Sequence, residues 1–551
     1  MKALIYFLPL LLSASVWAQT SQYSPLQGPA DDYLDRAQTL APQLEGPHSS
    51  LRPFLRSDLR KLASQSPDSS YLLADNALWD SLAPAPKSFW SHFYRQKANL
   101  YALQTGDFYF SVNPLLHLQA GGERLEDGSQ NLLFLNRRGL RLEGDIAKRL
   151  FFSTTLTENQ AAFPRHIQNR ISEFGAVPGA GFYKVYDSQL TDAPEDGVDY
   201  LLAQGHIGFQ IMPYISARLG HGRHFIGDGH RSLLLSDFSN NYFYLQLDTR
   251  IWRFHYRNIF AELTQDHAPV ANGLYPKKYL AAHYLDLKLS KNLQIGLFEA
   301  IVFGREQGFE LQYLNPLIFY RAVEQGLGSP DNAMLGLNFR WDFLRRFAFY
   351  GQVVIDEFVF SEVFRSPSAA NGGWWANKQG LQLGLKYRNV ANINRLDLQL
   401  EFNTVRPYTY TFRDSSASYT HYNQPLAHPL GANFREFLAI IRYQPMPKLQ
   451  LRAQCTYAFY GQDSSGSNWG SNIHLSYITR EQEYGNQIGQ GLATHLLYLD
   501  LLGSYQLRHN LFVDLGLSFR QEKITGLTES PQALWGRLGL RWNMLERGQD
   551  F

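Results

Sequence analysis

The chain has 551 residues, of which 44% are hydrophobic and 14% aromatic, and its mean hydropathy is −0.30. Its 51 basic and 49 acidic residues leave a net charge of +2, which excludes a global field for drawing nucleic acid or an acidic membrane. The single cysteine, Cys455, excludes an intrachain disulfide and a thiolate zinc cluster.

The first residues, MKALIYFLPLLLSASVWAQ, place Lys2 before an apolar run over 3–12 and then small residues to Ala18. This predicts a secretory signal peptide over 1–18, because the run is short of the roughly 20 residues a spanning helix needs. Residues 19–100 show helical spacing at Leu34, Ala37, Ala41 and Leu44, and again at Leu55, Leu59 and Leu62. Prolines such as Pro29, Pro42, Pro53 and Pro67 cut this region into short pieces. It is expected to be a small helical region on the periplasmic side, covering one mouth of a barrel formed by the rest of the chain.

From 101 to 551 one pattern recurs, in which roughly ten residues alternate apolar with polar or small. Leu396, Leu398, Leu400 and Phe402 alternate with Asp397, Gln399, Glu401 and Asn403, and the same holds for 381–388 and 511–520. Strands of soluble sandwiches are shorter, whereas roughly ten residues is what crosses a tilted bilayer path. Short links join 139–147 to 150–158, 205–211 to 214–220, 242–249 to 251–261 and 281–289 to 293–303. They also join 333–341 to 347–358, 379–388 to 396–404, 434–443 to 449–459 and 494–507 to 511–520. Longer stretches, including 159–204, 304–332, 405–433 and 460–493, separate these pairs. With a first strand near 106–121 and a last near 533–542, the spacing predicts an all-β fold, a transmembrane antiparallel β-barrel of about 18 strands. Short turns and both barrel ends then face the periplasm, and the long loops face outward. A secreted propeller is the competing all-β reading, but no blade-length repeat is present.

The segment Trp535 to Trp542 is similar to the last-strand signal read by the outer-membrane assembly machinery, and the chain ends in the aromatic Phe551, beyond that strand. The stretch 315–321 (NPLIFYR), the turn 372–375 (GGWW), Arg406-Pro407-Tyr408 and 421–434 resemble the Wzi capsule-assembly family, and more narrowly its RemB-type gliding-motility subgroup. The resemblance implies an outer-membrane barrel with an N-terminal helical part that holds surface polysaccharide at a Gram-negative cell.

Chemistry on the predicted outer loops agrees with that implication, since sugars stack C–H faces on aromatic rings and pair hydroxyls with amides and guanidinium groups. The candidate polysaccharide contacts are Tyr320, Arg321, Trp374, Trp375, Arg406, Tyr408, Tyr410, Tyr419, Tyr422, Asn423, Gln424 and Trp469, with Asn468 beside the last. Arg321 and Arg406 suit an acidic sugar. The bland alternative is an interfacial aromatic girdle, with 418–434 (SYTHYNQPLAHPLGANF) folded into the lumen as a plug. No G-x-S-x-G, G-x-x-x-x-G-K or H-E-x-x-H pattern occurs, so no enzyme activity and no cofactor are expected. The one metal-like pattern, His221, His224, Asp228 and His230 in LGHGRHFIGDGHR, sits among glycines that equally make a tight turn, and no metal is assigned. Expected partners are extracellular or capsular polysaccharide, outer-membrane lipid, the assembly machinery, and components of a gliding or secretion machinery; nucleic acid is not among them. The alternatives are a gliding-motility accessory and a porin-like diffusion channel.

Overall fold

The computed structural model describes residues 22–551 except 27, 45, 66–98, 189–195, 266–272, 306–307, 318, 329, 358–371, 465, 527–529 and 547. The expected signal peptide, and much of the expected N-terminal region, lie outside the described residues. A closed antiparallel barrel of 18 strands dominates the molecule. Its strands are β1 (Phe108–Leu125), β2 (Gln130–Ile146), β3 (Leu150–Ala162), β4 (Gly197–Met212), β5 (Ile215–Gly222) and β6 (Tyr242–Ile251). They continue as β7 (Phe254–Thr264), β8 (Lys277–Lys288), β9 (Leu293–Phe303), β10 (Asn332–Phe343), β11 (Phe347–Glu357) and β12 (Lys378–Tyr387). The last six are β13 (Leu396–Val405), β14 (Phe434–Met446), β15 (Leu449–Gln462), β16 (Leu492–Arg508), β17 (Leu511–Ile524) and β18 (Gln532–Trp542). Each pairs with its chain neighbour, and β18 closes on β1 from Ala533↔Leu125 to Trp542↔Leu116, which leaves the wall without an edge.

Alternation places the polar residues inside. Along β13, Asp397, Gln399, Glu401 and Asn403 are buried toward the lumen, while Leu400 on the opposite face is 42% exposed. Leu515 on β17 is 66% exposed beside buried Asp514. This inside-out pattern is what a hydrocarbon surround selects. At the short-turn end the rings of Trp341, Phe343, Phe347 and Tyr387 stack in sequence, centroids 4.6–5.3 Å apart, as a girdle at the membrane boundary. The strands differ from expectation mainly in length: β1 and β2 extend outward to meet in a turn at residues 126–129, where a long loop was expected.

The lumen is filled from both ends. At the short-turn end α1 (Pro29–Leu40) starts at a proline, whose fixed φ suits the first helical turn, and packs Ala30, Tyr33, Leu34 and Ala37 on Phe54, Leu59 and Leu62 around α2 (Arg56–Gln65). The charged face of α1 meets the wall. Asp35 contacts Arg340, Lys386 and Arg388, and Arg36 Nη1 lies 2.6 Å from Asp397 Oδ1. Arg56 holds Glu143 bidentately at 2.7 and 3.0 Å. From the other end residues 223–241 and 406–433 fold inward, and the C-terminal tail, leaving Trp542 beside Leu511 at the short-turn end, runs up the lumen to meet them. Asp550 accepts from Arg231 at 3.1 Å and from His230 at 2.8 Å, and the Phe551 ring lies 5.0 Å from that of Phe238. Phe551 therefore belongs to the plug and not to the seam. A helix not foreseen in the sequence, α3 (Arg165–Phe174), buries Ile167 and Ile171 beside Val177, Val198 and Tyr200 above it. A cavity of about 570 Å³ remains between plug and wall, with Arg137, Arg141, Arg218 and Arg223 in its lining.

Candidate functional site

The stretch 418–434 forms a tight hairpin inside the barrel. Thr420–His421 pairs with Gln424–Pro425, and the turn residues Tyr422 and Asn423 have φ of 52° and 57°. Two consecutive left-handed residues are the geometry of a primed hairpin turn, which suits Asn and strains Tyr. Asn423 Nδ2 donates to Phe174 O at 2.9 Å, and Gln424 donates to Ala180 O at 2.6 Å while accepting from Gly179 N at 2.8 Å. Tyr410 and Tyr419 stack at 5.8 Å and donate their hydroxyls to the carbonyls of Leu233 and Leu234, each at 2.7 Å. His421 accepts at Nδ1 from Thr264 N at 2.9 Å and contacts Asn241 O through Nε2 at 3.0 Å. His428 Nε2 contacts Glu436 at 2.9 Å. Burial pushes the His421 imidazole down to about 4, a neutral ring at physiological pH.

Of the residues expected to meet sugar, Tyr320, Tyr408, Tyr410, Tyr419, Tyr422 and Gln424, and Asn468 with them, are buried in packing, and Asn423 is half-buried. Tyr320 and Arg321 are not near the others: their loop lies on the outside of the wall, where Tyr320 stacks on His283. Trp374, Trp375, Arg406 and Trp469 remain half-buried at the loop surface. Trp375 N donates to Glu483 O at 2.9 Å and Gly485 N to Gly372 O at 2.8 Å, so residues 372–377 and 463–491 form one surface. Gly373, at φ 64°, permits this approach, because a Cβ there would stand 2.8 Å from Asn486 N. On that surface Trp375 lies 4.6 Å from the Tyr477 ring, Trp374 6.3 Å from Trp375, and the Arg480 guanidinium 4.4 Å over Trp375. Arg406 Nη2 supports it by donating to Trp374 O at 3.3 Å. Tyr484, 45% exposed, and Glu483, which pairs with Arg480, extend the patch. Tyr477, Arg480 and Tyr484 are absent from the residues singled out by sequence, although their recurrence on the same loop as Trp469 was a usable signal.

The four residues of the metal-like pattern go to separate tasks. His224 binds Tyr242 and Gln246, His230 binds Asp550, and Asp228 Oδ2 accepts from Asn338 Nδ2 at 3.0 Å. His221 lies on β5. Among the described residues one other group, His117, Asp514 and Glu546, brings three ligand atoms within 4.8 Å of one another, but Arg541 already engages both Asp514 oxygens at 2.7 and 3.0 Å.

The fold and this surface define an outer-membrane β-barrel closed by its own termini and loops. The profile of the family "Capsule assembly protein Wzi" matches residues 225–533, more than half of the chain, and the chain belongs to that family. Among solved structures it is similar to Wzi of Escherichia coli, an outer-membrane protein involved in group 1 capsule assembly and described as a carbohydrate-binding β-barrel. That likeness has a TM-score of 0.55 at 11% identity and covers 94% of this chain and 98% of that one. OprD of Pseudomonas aeruginosa (TM-score 0.41, 9% identity, 78% and 94% covered) and OccAB4 of Acinetobacter baumannii (0.41, 9%, 80% and 98%) align less well. No curated protein sequence matches the chain.

Proposed function

We propose that this protein binds polysaccharide at the cell surface and holds it there, with capsular or other extracellular glycan as its ligand. The observation that carries the reading is the aromatic–guanidinium surface of Trp374, Trp375, Tyr477 and Arg480, built on loops that rest on the plug, where Tyr408 Oη donates to Asn468 O at 2.8 Å. Flat rings offer stacking faces for pyranose C–H groups, and Arg480 and Arg406 offer donors to hydroxyls or uronate carboxylates. Family membership supports the same reading. Tyr408, Tyr410 and Tyr419 then serve as the support of the surface, and Trp469 as its border.

The test is binding of the purified barrel to capsule and exopolysaccharide preparations, with W374A, W375A and R480A variants. Each substitution is expected to weaken binding by roughly three- to tenfold, the effect of about 0.5–1.5 kcal/mol per aromatic contact. Unchanged binding in all three would remove this surface from the proposal, and unaltered glycan retention in a deletion strain would remove the function. A part in gliding motility rests on the sequence resemblance of 315–321 and 372–375 to the gliding subgroup. A deletion strain that spreads normally would count against it.

A further inference from the structure

The described residues between Gly304 and Asp331 leave β9 on the side of the long loops, yet then descend along the outside of the wall. Tyr256 on β7, His283 on β8 and Glu299 on β9 all face outward, since their strand neighbours Arg257, Tyr284 and Phe298 are buried on the lumen side. The register pairs Asn258 with His283 and His283 with Glu299, so a polar strip crosses the outer face halfway along these strands. His283 Nε2 lies 2.7 Å from Glu299 Oε2, and Tyr256 Oη 3.0 Å from His283 Nδ1. A carboxylate facing hydrocarbon is costly, and here it is covered. The ring of Tyr320, in α4 (Tyr320–Gly326), stacks on His283 at 4.2 Å, Arg321 N donates to Glu299 Oε1 at 2.8 Å, and Tyr256 donates to Pro316 O. Tyr313, Tyr320 and Val323 pack on Phe260, Tyr279, Ala281, Ile301 and Phe303 of the wall.

The far side of this covering segment bares four large apolar side chains, Leu311 at 73% exposure, Leu314 at 40%, Leu317 at 81% and Phe319 at 77%, with Gln312, Asn315, Gln325 and the Glu324-paired Arg321 exposed among and beyond them. Tyr256, the anchor of Pro316, sits near the short-turn end of β7, so the segment reaches past the middle of strands whose 11–12 residues are about one bilayer crossing. We propose that the described residues of 309–327 are a membrane-embedded cover, with Leu311, Leu314, Leu317 and Phe319 against the lipid acyl chains. The wall over β7–β9 is then two layers thick, and the His283–Glu299 pair never meets lipid. This surface is separate from the Trp374–Arg480 face, and the cover stands or falls independently of glycan binding.

Spin labels test it in a Cys455→Ser background, with single cysteines L317C and F319C, a lipid-facing reference L515C, and a water-facing reference D414C on the outer loops. Both target side chains are exposed, so neither substitution disturbs packing, and heat-modifiable gel mobility verifies that each barrel is folded. In reconstituted bilayers, the ratio of oxygen to nickel-chelate collision at Leu317 and Phe319 is expected to match that at Leu515 and to exceed that at Asp414 several-fold. A ratio like that of Asp414 overturns the proposal in favour of a water-exposed loop. Low collision with both reagents overturns it in favour of a second protein chain on this face.

Discussion

At the scale of single residues, charge placement inside the lumen decides what is held and when it is released. Burial alone would raise the Asp35 carboxyl, but Arg340, Lys386 and Arg388 surround it and hold it well below the usual carboxylate range. Replacing it by Asn leaves three buried cations around an uncharged amide, and D35N is expected to weaken docking of α1 by about 3–5 kcal/mol. Faster proteolysis of residues 22–65 in the folded barrel is the readout; unchanged cleavage would mean that the helix is held by its apolar face alone. The histidines of the outer plug act with the opposite charge. Burial depresses His421 to about 4, His474 to about 3, and His428 below its ordinary value despite Glu436. A depressed folded value contributes stability that is complete above the unfolded value of about 6.5 and is lost as pH falls through the folded one. The outer plug is therefore expected to loosen progressively from about pH 6.5 to 4, seen as rising hydrogen exchange in 406–433. H421N, which cannot charge, should flatten the upper part of that profile.

At the scale of elements, what was legible depended on whether a segment's partners are periodic. The strands were, because lipid outside and polar lumen inside force alternation along every one: Leu398 against Asp397 and Gln399 says where each face points without knowledge of its neighbours. The helix Arg165–Phe174 was not, since its buried side is only Ile167 and Ile171, two positions too few to set a period, packed on neighbours in irregular chain such as Phe163, Val177 and Ala180. The inward turn of 418–434 was open to both readings, as surface or as plug. The same Tyr, Asn and Gln residues serve either, and the choice rests on Leu233 and Leu234, whose carbonyls accept from Tyr410 and Tyr419 respectively. Two of these plug tyrosines, Tyr408 and Tyr410, also sit at φ of 65° and 74°, a conformation no sequence rule assigns to Tyr. The hydroxyl bonds should offset that strain. Y410F leaves the buried Leu233 carbonyl without its donor and is expected to destabilise the plug by about 1–3 kcal/mol, measured as faster amide exchange in 406–433 while strand amides stay protected.

At the scale of the whole molecule, the question is what an 18-stranded barrel does when its bore is occupied. Barrels of this size leave an aqueous channel when nothing enters them, so the closure is made by the segments inside. Two closures stand in series and meet where Leu51 and Arg52 pair with Ile226 and Phe225 and Ser49 donates to Asp228. The inner one is α1 and α2, tied to the short-turn end through Asp35, Arg36 and Arg56. The outer one is the hairpin at 420–425, residues 223–241 and the tail carrying Asp550 and Phe551. Seals in series require that removing either one leaves the other blocking flow. The intact protein is therefore expected to pass little current in planar bilayers. Deletion of residues 22–65 is expected to raise it only slightly, and deletion of that segment together with 412–430 to open steady conductance. If the first deletion alone opens the bore fully, the outer segments are a platform without being a seal. If the intact protein already conducts steadily, a diffusion channel displaces the closed surface receptor as the function of this barrel.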